Sequence, residues 1–78
     1  MQLAPNVTIR VPDHAYRFGT GTLTLTVTEV VRSAVVDETV WVQLKGHEIR
    51  PDWSVAPRER YAAVRLDAVT LVQPARVV

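Results

Sequence analysis

The side chains able to do chemistry in this chain are few. Its aromatics are Tyr16, Phe18, Trp41, Trp53 and Tyr61, and Arg50, Arg58, Arg60 and Arg65 run close to Trp53 and Tyr61. Tyr and Trp offer large, rigid contact area, and guanidinium groups make directional bonds to carboxylate or phosphate. Tyr16, Trp41, Arg50, Trp53, Arg58 and Tyr61 are therefore the candidate partner-binding residues. Trp41 and Trp53 would supply apolar contact, and Arg50 and Arg58 charged bonds at the rim that set orientation. The competing use of these aromatics is structural, with Phe18 and Trp53 plugging the ends of a core and Tyr16 covering them. Arginine interleaved with aromatics also suits single-stranded nucleic acid. Glu48, Asp52, Glu59 and Asp67 lie in the same region and largely cancel that charge, so nucleic acid is the alternative and a protein partner the expectation.

Other chemistry has little to stand on. His14, His47, Glu48 and Asp52 do not place three metal ligands on one element. The only serines are Ser33 and Ser54, neither in a nucleophile-elbow motif, and there is no cysteine. No phosphate loop or dinucleotide fingerprint is present. The expectation is a non-catalytic chain with no cofactor and no metal.

The element that must position these residues is Thr20 to Val31. Thr20, Thr22, Thr24, Thr26 and Thr28 share one parity, and Gly21, Leu23, Leu25 and Val27 share the other. Strand side chains alternate between faces, so one face is apolar and the other carries hydroxyls. A helix would scatter the same residues, and β-branched Thr and Val lose rotamer freedom there. The Thr row reads first as a solvated strand face. No charge interrupts Thr20 to Thr28, so a second use is an edge, at Thr22, Thr24 and Thr26, that pairs with another copy. Parity breaks near Glu29, where Val30 and Val31 are adjacent, and a bulge around Thr28 to Val30 would re-aim the strand.

The other elements follow the same rhythm. Val7, Ile9 and Val11 make a short first strand closed by Pro12. Pro12 to Gly19 is an aromatic loop. Arg32 to Thr39 is the reversal after the long strand, without an Asn-Gly signal. Val40, Val42 and Leu44 form a third strand with Trp41 on its opposite face, ended or bent at Gly46. Pro51 and Pro57 bound a long loop from His47 to Arg60, because proline cannot donate to a ladder. Ala62, Val64 and Leu66 face one way in a fourth strand. The break at Asp67–Ala68 suits a 3₁₀ turn before a last strand at Val69 and Leu71. Residues 1–5 and 74–78 read as frayed tails of a single domain spanning 1–78.

This order of short strand, aromatic loop, long bent strand, two further strands, tight turn and last strand resembles the SH3-like small barrels. The expected fold is therefore all-β, a small five-stranded SH3-like barrel. The acidic and paired-tyrosine signatures of signalling SH3 domains are lacking, so their proline-rich ligands do not carry over. The alternative is a Greek-key barrel of the OB type, which usually carries a helix between strands three and four.

Bulk properties agree with an interaction module. The chain has 78 residues, is 47% hydrophobic and has a net charge of +1. That length holds one core, burying only about 60% of the unfolded surface. The near-neutral charge is unlike a strongly basic nucleic-acid binder. Lys45 is the only lysine. No signal peptide and no apolar run of membrane-spanning length is visible, so the expected compartment is the cytoplasm, away from membranes. The expected function is a non-catalytic protein-interaction module or a small subunit of a larger assembly. Its partner is a protein or another copy of itself, and a homo-oligomeric structural subunit is the third reading.

Overall fold

The computed structural model describes residues 6–17 and 19–72. Phe18 and both terminal segments, 1–5 and 73–78, lie outside the described residues. Five strands form one antiparallel sheet in the order β4-β3-β2-β1-β5: β1 Thr8–Val11, β2 Leu23–Val36, β3 Thr39–Ile49, β4 Val55–Arg65 and β5 Thr70–Leu71. Among the described residues the only helical elements are 3₁₀ turns at Asp13–Ala15 and Leu66–Ala68. The all-β expectation holds. The sheet does not close on itself, because β4 and β5 remain its two edges. The loop after β1 reaches across to β4. Tyr16 bridges to Val64, and the Arg17 amide donates to Ala63 O at 3.0 Å. The OB-type alternative needed a helix between the third and fourth strands, and the five residues 50–54 that join them contain none.

The apolar parity seeds the core. Leu23, Leu25 and Val27 are buried against Ile9 and Val11 of β1, Leu44 of β3, Ala62 and Val64 of β4, and Val69. Their Thr neighbours face the other way, and Thr26 Oγ1 shares a hydrogen bond of 2.9 Å with Thr8 Oγ1. Tyr16 closes the core from the loop after β1. Its hydroxyl donates to Gly21 O at 2.6 Å and accepts from the Thr20 amide at 3.1 Å. Gly21, with φ of 92°, takes the left-handed turn that leads into β2.

Four expectations are corrected. First, Thr22, Thr24 and Thr26 are not an edge. β2 lies inside the sheet, where Thr24 pairs with Arg10, and Thr26 pairs with both Thr8 and His47; Thr22 precedes the strand. Second, the reversal is not eight residues long. β2 runs on to Val36, and the turn is Asp37–Glu38 alone, between the paired Val36 and Thr39. Both turn residues have positive φ, 50° and 64°, which is the signature of a type I′ hairpin made without glycine. Third, Gly46 does not end β3. It lies within the strand, where β2 approaches so closely that a Cβ would meet Thr26 O at 2.2 Å.

Fourth, Pro51 and Pro57 do not bound a long loop. The connection spans 50–54, and Pro57 sits in β4, an edge strand whose ladder is interrupted between His47 and Ile49. There four β4 residues advance against two of β3, and His47 Nδ1 donates to the displaced Ala56 O at 2.8 Å.

The bulge expected near Thr28 to Val30 is present, and a second follows it. Register shifts fall between Val27 and Glu29 and between Val30 and Arg32, so Thr28 and Val31 are each one residue extra against β3. Beyond Val27 the strand loses its β1 neighbour and continues beside β3 as an arm of the sheet, which β4 still flanks on the far side of β3 as far as Trp41.

Candidate functional site

The β3–β4 ladder divides the candidate residues between its two ends. Residues directly opposite in an antiparallel pair share a face. Trp41 faces Ala34 of β2 and Arg65 of β4, Gln43 faces Arg32 and Ala63, and Lys45 faces Glu29 and Tyr61. Trp41 and Tyr61 therefore stand on one face, opposite the buried Val42 and Leu44. Between them Ala34 and Ala63 carry only methyl groups, and the surface sinks into a hollow of about 610 Å³. Trp41 is half-buried in its wall, and Tyr61 is exposed.

Three arginines, Arg17, Arg32 and Arg60, also line the hollow, and among the described residues no carboxylate does. Arg17 is brought there by the bond of its amide to Ala63 O. Arg32 Nε donates to Gln43 Oε1 at 3.1 Å, which holds the guanidinium over the β2–β3 surface. Arg60 stands opposite Gly46, on the other face of β4 from Tyr61, and its Nη1 donates to Glu48 Oε1 at 3.1 Å, so it borders the hollow only at the strand edge. Arg65 adds a covered Nε that has no hydrogen-bond partner among the described residues, while its Nη2 bonds Asp67 at 2.9 Å. On the far side of Tyr61, Lys45 Nζ lies 5.8 Å from the ring centroid and 3.9 Å from Glu59. The arrangement offers aromatic and methyl surface beside cations, which suits an anionic group carried on an apolar or extended body.

The remaining candidates sit elsewhere. Trp53 is 65% exposed with φ of 69°, at the tip of the loop that turns β3 into β4. It does not plug the core, and it stands at the opposite end of the ladder from Trp41. Arg50 shares that loop, where its Nη1 donates to Ser54 Oγ at 3.2 Å. Ser54 donates to Asp52 Oδ1 from both its hydroxyl, at 2.6 Å, and its amide, at 2.9 Å. The side-chain bond from Ser54, then its amide, hold the Asp52 carboxyl below its ordinary value. Arg58 is exposed in the irregular part of β4. Tyr16 is only 7% exposed, and its hydroxyl is occupied, so its ring belongs to the core. The six residues thus do not form one groove.

Arg17 and Arg32 were missed as site residues. Arg32 had half a signal: the single bulge expected near Glu29 would turn it to the core face, and the second bulge returns Arg32, Ala34 and Val36 to the face of Thr26. Arg17 had none, because its position depends on a loop reaching a strand far along the chain. Among the described residues no cluster of three or more His, Cys, Asp or Glu could hold a metal ion, and no helix is long and apolar enough to cross a membrane. No protein-family model, no curated protein and no solved structure matches this chain.

Proposed function

We propose that the chain is a non-catalytic protein-interaction module on an SH3-like small barrel, binding an acidic, extended segment of a partner protein at the Trp41–Tyr61 hollow. The observation that carries this is the charge of the lining: three arginines and, among the described residues, no carboxylate around an aromatic and methyl floor. The barrel reading is supported by the strand order, by the 3₁₀ turn between β4 and β5, and by the loop after β1 reaching β4 at Ala63 and Val64. The non-catalytic reading is supported by Ser54, which acts as a loop brace beside Arg50 and Asp52, and by Ser33, which stands exposed on the arm.

The test uses Trp41 as its own reporter, in a Trp53→Phe background. Titration with a synthetic peptide rich in glutamate and containing a tyrosine should quench or shift Trp41 emission saturably. The affinity should weaken as salt rises. Arg17→Glu should reduce it about tenfold or more, and Trp41→Ala should remove it while moving the thermal midpoint little. An unchanged spectrum at about 50 mM salt would overturn the peptide reading, because charge attraction is strongest there. Tighter binding of a single-stranded oligonucleotide than of the peptide would replace it with the nucleic-acid reading.

A further inference from the structure

We infer that two copies of this chain associate through the arm, pairing the outer edge of β2 from Arg32 to Val36 antiparallel with itself about a two-fold axis at Ala34. The first observation is the edge. Thr28 to Val36 pair with β3 on one side, and among the described residues nothing pairs with them on the other. A row of unpaired amides and carbonyls is a template for another strand. The second is composition. Val30, Val31, Val35, Val36 and Val40 are all exposed on this arm, Val35 at 70%. Unlike most sheet edges, the stretch carries neither lysine nor proline to deter pairing.

The third observation is charge, and it names a second copy as the occupant. The hairpin turn carries Asp37 and Glu38, and neither has an ion-pair partner among the described residues. Among the described residues Arg32, at the other end of the regular stretch, bonds only neutral Gln43. With Ala34 opposite Ala34 of the second copy, Val36 lies opposite Arg32, and Ser33 opposite Val35. Each arginine then meets the start of the other copy's acidic turn, twice by symmetry. The register also keeps matched residues on matching faces, because Arg32 to Val36 pairs with β3 without a break. Registers centred nearer Val30 would drive the second arm into Asn6 and Val7, which already bond Val27. The result is a sheet continuous across both copies, with the exposed valines of the two arms brought side by side. Arg32, Ser33, Ala34 and Val36 also line the hollow; the association uses their backbone edge and is read by mass with no peptide present.

The test is sedimentation equilibrium on the full chain from about 1 µM to 1 mM, a range that brackets interfaces below the standard size. A reversible monomer–dimer equilibrium is expected. Val35→Lys, at an exposed position, should weaken it about tenfold or more. Arg32→Glu should do the same, because it turns two attractive cross-strand pairs into repulsive ones. Combining Arg32→Glu with Asp37→Lys should bring the dissociation constant back to within about threefold of the parent. Asp37→Asn with Glu38→Gly separates folding from association. It installs the preferred type I′ turn and so raises the thermal midpoint, yet it should weaken the dimer. A chain that stays monomeric throughout overturns the proposal. So does a dimer indifferent to Val35→Lys and to the charge exchange.

Discussion

The two halves of β2 both carry threonine and valine and have opposite fates. From Leu23 to Val27 the strand runs beside β1, with β3 on its other side from Leu25 onward, and its Leu and Val side chains are buried. From Thr28 to Val36 it has β3 alone, and every residue is exposed. Valine is common to both halves. Burial here is decided by what lies beside and beneath the strand, so an apolar residue type does not mark a core position. The inner half makes the fold, and the outer half is left with apolar surface and one unpaired edge.

That contrast can be broken most forcefully at its buried end. Leu25→Ala should cost about 3 kcal/mol or more, since a fully buried leucine leaves a cavity that a tightly packed core fills poorly. In a domain this small that is a large share of the total stability. Val35→Ala should stay within about 0.5 kcal/mol, as exposed substitutions do. Urea denaturation of dilute protein compares the two, and equal losses would erase the distinction between the halves.

Gly46 lies opposite Val27, at the boundary, and Gly46→Ala should be the next largest effect. The added methyl would be driven into Thr26 O, and neither backbone can yield without shifting a ladder. A loss of about 2 kcal/mol is expected, lowering the thermal midpoint by roughly 10 °C in a domain of this size. A neutral result would show that β2 and β3 are not as close at the bulge as the geometry gives.

The smallest effect concerns pH. Thr28 Oγ1 donates to Glu59 Oε2 at the root of the arm, and that bond is the chief reason the Glu59 carboxyl sits below its ordinary value of 4.5; Lys45 contributes less. Asp52 is likewise held below 3.8, by Ser54. A carboxyl depressed in the folded chain stabilises it above the unfolded value, and loses that contribution as pH falls through the folded one. Stability should therefore be flat near neutrality and decline below pH 4.5. Glu59→Gln should reduce that decline, as read by thermal melts across the acid range, and an unchanged acid slope would count against the Thr28–Glu59 tie.

Much of the inner half was legible in the sequence. Strict alternation marked Ile9 and Val11 of β1 and Leu23, Leu25 and Val27 of β2, and a parity break marked the 3₁₀ turn at Leu66–Ala68. The outer half was not. Asp37–Glu38 adopts positive φ at both positions without the Asn-Gly that announces such turns, so the sequence places a reversal over Arg32 to Thr39 where the strand in fact continues to Val36. Pro57 hid the start of β4, since a proline is compatible with a strand only at an edge, and which strand is an edge is a tertiary fact. Parity placed Trp41 on the face away from the core, which the register bears out. Tyr16 looked like a loop aromatic and proved to be a buried lid with both hydroxyl bonds made. The hollow itself depends on Arg17 arriving from the β1–β2 loop, a contact no local pattern encodes.

The difference between the halves of β2 is read most directly by amide hydrogen exchange, followed residue by residue in dilute and in concentrated protein. The amides of Leu23 to Val27 should exchange slowly at both concentrations. In dilute protein the outward-pointing amides between Thr28 and Val36 should exchange orders of magnitude faster, and they should become protected as concentration rises. Core-like protection of those outer amides at the lowest concentration would contradict the account, because it would mean that the chain covers that edge by itself.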